Sequence, residues 1–136
     1  MPKENLELID TIYKHFNARE YDEVVENFAN DFEWYAADNS PLADRSPYHG
    51  VNEIREGVFG RIEAGFRRLT VEIDEIIDAG AKVVVLGYYT GEYATGKEAP
   101  RAQLAHIWTV LGGKAVKFQQ YVDTLAIAEG AKAAAS

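Results

Sequence analysis

The feature that most constrains this chain is a change of hydrophobic period along it. Ile9, Ile12, Tyr13 and Phe16 recur at spacings of three and four, which aligns them on one face of a helix over 4–16. From Leu69 onward the period falls to two, and glycine-bearing turns at Asp78-Ala79-Gly80, Gly96 and Gly112-Gly113 cut the chain into strands. Those spacings make an antiparallel meander of strands two (from Leu69), three (82–93), four (101–111) and five (115–124). Helices first and a meander second predict an α+β domain in which helices cover one face of a sheet.

Between these parts, Val24, Val25 and Phe28 form the apolar side of a short second helix that Asn30-Asp31 closes. Phe32, Trp34 and Ala36 then alternate with Glu33, Tyr35 and Ala37 as strand one. Residues 38–50 hold two prolines and no period, and read as a long loop. A third helix follows from Val51, with Val51, Ile54, Val58 and Ile62 on one stripe. Gly57 and Gly60 each cost it roughly 1 kcal/mol relative to Ala, which implies close packing on that face. Ile76-Ile77 breaks the alternation of strand two and predicts a bulge that bends it. The alanine-rich tail 125–136 is expected to add a helical turn or to fray.

The 136 residues, 47% hydrophobic and 26% charged, suit one globular domain over 1–136 and exclude a disordered or low-complexity chain. Fourteen Lys and Arg against 22 Asp and Glu give a charge of -8, which repels phosphate backbones and anionic lipid, so neither nucleic acid nor membrane is an expected partner. No cysteine is present, which removes disulfides, a thiol nucleophile and thiolate metal sites. The polar start and the lack of a long apolar stretch predict neither signal peptide nor anchor, and hence a cytoplasmic protein. His15, His49 and His106 share no ligand spacing, so no metal site is expected. The basic residues around helix three, Arg55, Arg61, Arg67 and Arg68, are balanced by Glu53, Glu56 and Glu63. With no phosphate-cradling glycine motif and no nucleophile elbow, no cofactor is expected.

Several segments together resemble the nuclear transport factor two-like fold, also called SnoaL-like or ketosteroid isomerase-like. They are Phe16-Asn17-Ala18, Asp31-Phe32-Glu33-Trp34, Tyr48-His49-Gly50, Ala94-Thr95-Gly96-Lys97, His106-Ile107-Trp108-Thr109 and Phe118-Gln119-Gln120-Tyr121-Val122-Asp123-Thr124. The resemblance spans nearly the whole chain. It implies a strongly bent sheet around a cone-shaped apolar pocket, three helices closing the other side, and a dimer through the outer sheet face. The fold hosts isomerases, cyclases, hydrolases and plain binding modules, so chemistry has to come from the site. The catalytic positions of ketosteroid isomerases fall on Ile12, Ala36 and Ala105, with Tyr13 one residue from the tyrosine position. Those of limonene epoxide hydrolase fall on Gln103, Ala105 and Gln120, and the strand-five acid of SnoaL-type cyclases also falls on Gln120. Their carboxylates are therefore missing here.

Strand parity selects the pocket residues. On this reading Trp34, Tyr88, Gln103, Phe118 and Gln120 face the cone, with Tyr13 and Tyr48 at its helical and loop sides, as the substrate-binding set. Glu92 is the acid that parity places inside and the candidate general base. Asp123 is a second catalytic candidate, although in the family an aspartate at this place closes strand five and holds backbone amides. His106 and Trp108 are expected on the outer face, where Tyr89, Trp108 and Tyr121 would form the homodimer surface. The expected function is cofactor-independent isomerisation, cyclisation or hydrolysis of a small apolar oxygenated metabolite. The alternative is a ligand-binding module that has lost its acids.

Overall fold

The computed structural model describes residues 2–135. The chain opens with α1 (Pro2–Asn17), which buries Ile9, Ile12, Tyr13 and Phe16 along one side, as their spacing requires. Asn17 fixes its end to the sheet. Its Nδ2 donates to the Val71 carbonyl at 3.1 Å and its Oδ1 accepts from the Val71 N–H at 2.8 Å, so one side chain pairs with a strand as a neighbouring backbone would. A single turn, α2 (Tyr21–Val25), ends earlier than expected, and Phe28 starts β1 (Phe28–Tyr35) instead of closing the helix. There Phe28 stacks on Phe32 with ring centroids 4.0 Å apart and lies opposite Ala115, interactions that local helix propensity does not match.

The loop expected over 38–50 contains a 3-10 turn (Pro41–Arg45) and a two-residue strand, β2 (Tyr48–His49), paired antiparallel with β1. A strand this short has no alternation to read. The third helix is continuous through α3 (Gly50–Ile54), a π-helical turn (Arg55–Phe59) and α4 (Gly60–Gly65), with Ile54, Val58 and Ile62 buried. The close packing anticipated on this helix is real at Gly57, where an added Cβ would collide with the Tyr48 ring.

The meander consists of β3 (Phe66–Ala79), β4 (Lys82–Tyr93), β5 (Glu98–Leu111) and β6 (Lys114–Val122). The bulge expected in β3 falls between Ile73 and Glu75, slightly ahead of Ile76-Ile77, and a second register shift lies between Phe66 and Arg68. The six-stranded sheet has the order β2-β1-β6-β5-β4-β3, antiparallel except that β1 runs parallel to β6. The tail does more than add a turn. It forms α5 (Thr124–Ala135), which is tied to the meander where Gly130 packs on Pro100 and Tyr93 and where Lys97 Nζ donates to the Ala133 carbonyl at 3.0 Å.

The facing of β4 and β5 is the reverse of the expected one. Phe118 and Gln120 do point into the core, but across the ladder Trp108 lies opposite Phe118 and His106 opposite Gln120. Directly opposed residues share a face, so inward Phe118 and Gln120 bring Trp108 and His106 inward with them. On β4 the buried set is then Val83 and Val85, continuing to Tyr89, while Tyr88 and Gln103 lie opposite each other on the outer face.

Candidate functional site

A cavity of about 290 Å³ lies between the inner face of the sheet, the helix 50–65, the loop after β1 and α5. Its wall is mainly apolar and includes Phe16, Ile62, Phe66, Leu69 and Pro100, with Ile127 of α5 covering one side. Six polar side chains join them: Trp34, Ser40, Arg61, Tyr89, Tyr93 and Gln120. Among the described residues no aspartate or glutamate lines this cavity. Arg61 brings no free charge, because both carboxylate oxygens of Asp44 accept from its guanidinium at 3.0 Å and it also donates to the Tyr48 hydroxyl and the Pro41 carbonyl. That same guanidinium holds the Asp44 carboxyl below its usual range.

Behind the cavity runs a line of hydrogen bonds that joins five elements of the fold. Trp108 Nε1 donates to Tyr13 Oη at 2.9 Å, and Tyr13 Oη lies 2.6 Å from His106 Nδ1. His106 Nε2 lies 2.8 Å from Tyr89 Oη, and Gln120 Nε2 donates to that same oxygen at 2.9 Å. Gln120 Oε1 accepts from the Ala37 N–H at 3.1 Å, which fixes the orientation of the amide. Burial pushes the His106 imidazole down to about 3, so the ring is neutral at ordinary pH. Burial likewise raises the Tyr13 phenol well above its ordinary value, and raises Tyr89 against the opposing pull of the Gln120 bond.

Counting donors assigns the protons. Tyr13 already accepts from Trp108, and its own proton has one available acceptor, His106 Nδ1. A proton on Nδ1 would leave the buried Tyr13 O–H without an acceptor, at a cost of about 1–3 kcal/mol. The neutral ring therefore carries its proton on Nε2 and donates it to Tyr89 Oη. The Tyr89 oxygen thus accepts two bonds, from His106 and Gln120, and its own proton has no acceptor among the described protein groups. Since Tyr89 lines the cavity, that proton is available to a molecule inside it.

Of the residues selected from the sequence, Trp34 and Gln120 line the cavity. Phe118 lies behind Trp34, with centroids 4.1 Å apart, and Tyr13 anchors the hydrogen-bond line. Tyr48 supports the cavity from outside, donating to the Leu42 carbonyl at 2.6 Å and accepting from Arg61. Tyr88, Gln103 and Glu92 lie off the site. Tyr88 stacks under the Arg101 guanidinium at 3.5 Å, Gln103 is exposed, and Glu92 pairs with Arg67 at 3.0 Å outside the cavity. Asp123 caps α5, its Oδ1 accepting from the Ala126 N–H at 3.1 Å.

Sequence reasoning missed Tyr89, His106, Ser40, Arg61 and Ile127. A signal existed for the first two. In β5 the set Ala102, Leu104, His106, Trp108, Val110 is more apolar and more aromatic than Gln103, Ala105, Ile107, Thr109, and a histidine inside such a set is a buried one. Ser40, Arg61 and Ile127 reach the cavity through tertiary packing and left no local mark. Among the described residues no group of three or more His, Asp or Glu could hold a metal ion, and no helix is long and apolar enough to cross a membrane.

Comparison with solved structures places the same architecture in other proteins. An NTF2-like protein from Burkholderia thailandensis E264 is 30% identical, with a TM-score of 0.82 over 92% of this chain and 95% of its own. An NTF2-like protein of unknown function from Burkholderia pseudomallei K96243 is 25% identical, with a TM-score of 0.83 over 93% and 96%. TerC, crystallised with polyporic acid, shares the fold at 23% identity and a TM-score of 0.81 over 95% and 98%. No curated protein sequence matches the chain. The model of the SnoaL-like domain matches residues 9–118, and with the bent sheet, the helical cover and the cavity between them the chain belongs to the SnoaL-like family of NTF2-like proteins.

Proposed function

We propose that the chain binds a small, neutral, largely apolar molecule by a carbonyl oxygen, and that Tyr89 polarises this carbonyl in a cofactor-independent isomerisation or ring closure. The observation that carries the reading is the Tyr89 hydroxyl, with two donors on its oxygen and its proton left for the cavity. When water takes a proton from the carbon beside the carbonyl, the C–H electron pair moves through the new C=C bond onto the carbonyl oxygen, and the Tyr89 proton shifts toward it. The phenolate character left behind is held by the His106 and Gln120 N–H groups, which are already in place. The apolar wall and neutralised Arg61 favour an uncharged ligand. TerC, crystallised with polyporic acid, shows that a protein of this fold has been captured with an organic small molecule. Hydrolysis has less support, because no residue suited to activating water lines the cavity.

One observation favours a second reading, a binding module without turnover: no carboxylate in the wall can take a proton from a bound molecule. Incubation with 1-tetralone in deuterated buffer separates the two. Deuterium uptake beside the carbonyl above the buffer rate, lost in Tyr89→Phe, supports catalysis; Tyr89-dependent binding without uptake establishes the module. We further propose that two copies pair through the outer sheet face, where Tyr121 is 54% exposed. Tyr89 and Trp108, which the sequence assigned to that surface, belong to the interior.

A further inference from the structure

Two more polar atoms at the cavity are fully buried and have no partner in the protein. Trp34, 6% exposed, and Ser40 both line it, and neither Trp34 Nε1 nor Ser40 Oγ makes a hydrogen bond although both atoms are buried. The third such atom among the described residues, Tyr21 Oη, belongs to no part of this wall. An indole N–H can only donate, and a buried donor with no acceptor is rare in a native fold because its lost hydration is not repaid. Ser40 stands next to the amide already described: Gln120 Oε1 holds the Ala37 N–H, and the Ser40 N–H donates to the Ala37 carbonyl at 3.1 Å. Trp34 comes from β1 and Ser40 from the loop that follows it, whereas Tyr89 comes from β4.

We propose that Trp34 Nε1–H and the Ser40 hydroxyl form a second recognition point for an acceptor oxygen, so that the cavity selects neutral, largely apolar molecules with two such oxygens, as in diketones, quinones or lactones. The inference rests on the reading of Tyr89 as the first point. It adds the class of ligand: two acceptors, no ionised group. An acidic ligand would find no free cation, since the Arg61 charge is taken by Asp44.

The sequence makes the test direct. The chain has two tryptophans, so the indole region of a ¹H–¹⁵N spectrum holds two signals, and Trp34→Phe assigns them. The probes are tetralin, 1-tetralone, and the 1,2- and 1,4-naphthoquinones, which carry no, one and two acceptor oxygens. The better naphthoquinone is expected to bind about tenfold tighter than 1-tetralone, the effect of one good hydrogen bond. It should move the Trp34 indole proton downfield and leave that of Trp108, already bonded to Tyr13, in place. Trp34→Phe and, independently, the loop variant Ser40→Ala should narrow the quinone-to-tetralone ratio, and the double variant should bring it near one. A ratio unchanged in the double variant, or a Trp34 signal that does not move, overturns the second point while Tyr89-dependent binding of 1-tetralone survives. If the wild-type chain binds none of the carbonyl probes, the Tyr89 reading and this one both fall.

Discussion

Tyr89 Oη accepts from His106 Nε2 at 2.8 Å, a bond that makes the tyrosine a donor toward the cavity and the histidine a fixed tautomer. Histidine side-chain ¹⁵N spectra should show His106 neutral, with its proton on Nε2, from pH 5 to 8. A proton on Nδ1 would contradict the assignment. Tyr13→Phe removes the donor to Nδ1 and should lower stability by about 1–2 kcal/mol in urea unfolding.

The same histidine sets a pH dependence. Its value is about 3 when folded and 6.5 when free, so between those values the unfolded chain holds a proton that the folded chain lacks. Stability from this group is therefore full above 6.5 and is lost as pH falls through 6.5 toward 3, about 2 kcal/mol between pH 7 and 5. Other groups add their own slopes, so the measurement is the difference between wild type and His106→Gln. That difference should shrink by this amount on acidification, and a constant difference would show that His106 is not buried neutral.

Gly57 is where the helix 50–65 meets Tyr48 most closely. Gly57→Ala gains helix propensity yet should still lose about 1–3 kcal/mol, because the ring has to move. Since Tyr48 also holds Leu42 and Arg61, the variant should in addition weaken ligand binding, which calorimetry with 1-tetralone will read.

Asp123 and Glu92 provide a contrasting pair. Asp123→Ala removes the cap of α5 and should cost about 1 kcal/mol. Glu92→Gln breaks a partly exposed pair with Arg67 and should change stability by less than about 1 kcal/mol, without altering deuterium exchange into 1-tetralone. An exchange rate that collapses in Glu92→Gln would return the site to the other face of the sheet.

Light scattering at micromolar concentration should give twice the 15.2 kDa chain mass, and Tyr121→Glu should lower it toward one chain. A wild-type chain that stays at 15.2 kDa would refute the dimer.

What was legible from the residues differs between fold and site. The helix of Ile9, Ile12, Tyr13 and Phe16, the stripe of Ile54, Val58 and Ile62, and the turns before Lys82 and after Leu111 follow from spacing alone, because each is fixed by neighbours within a few positions. The inner face of β4 and β5 was not, since a strand's two faces differ by one residue of register. Parity taken separately for each strand set Gln103 inside along with Gln120. The ladder, which pairs His106 with Gln120, forbids that combination, and it is visible only once the pairing is known. Trp34 and Gln120 were found because β1 and β6 had the right phase. Ser40, Arg61 and Ile127 come from three separate segments whose meeting no periodicity encodes.

The parallel pairing of β1 with β6 has a consequence for the birth of the chain. Apart from the two residues of β2, β1 has β6 as its sole partner in the sheet, and β6 begins at Lys114. A ribosome releases Phe28, Phe32 and Trp34 long before it has made the strand that covers them. The helices and the first strands of the meander can form in order of synthesis, but closing the sheet must wait for the far end of the message. Until then the most aromatic strand of the protein has an open edge, so translation pauses placed before residue 114 should lengthen its exposure to chaperones and to aggregation, and pauses after residue 122 should not.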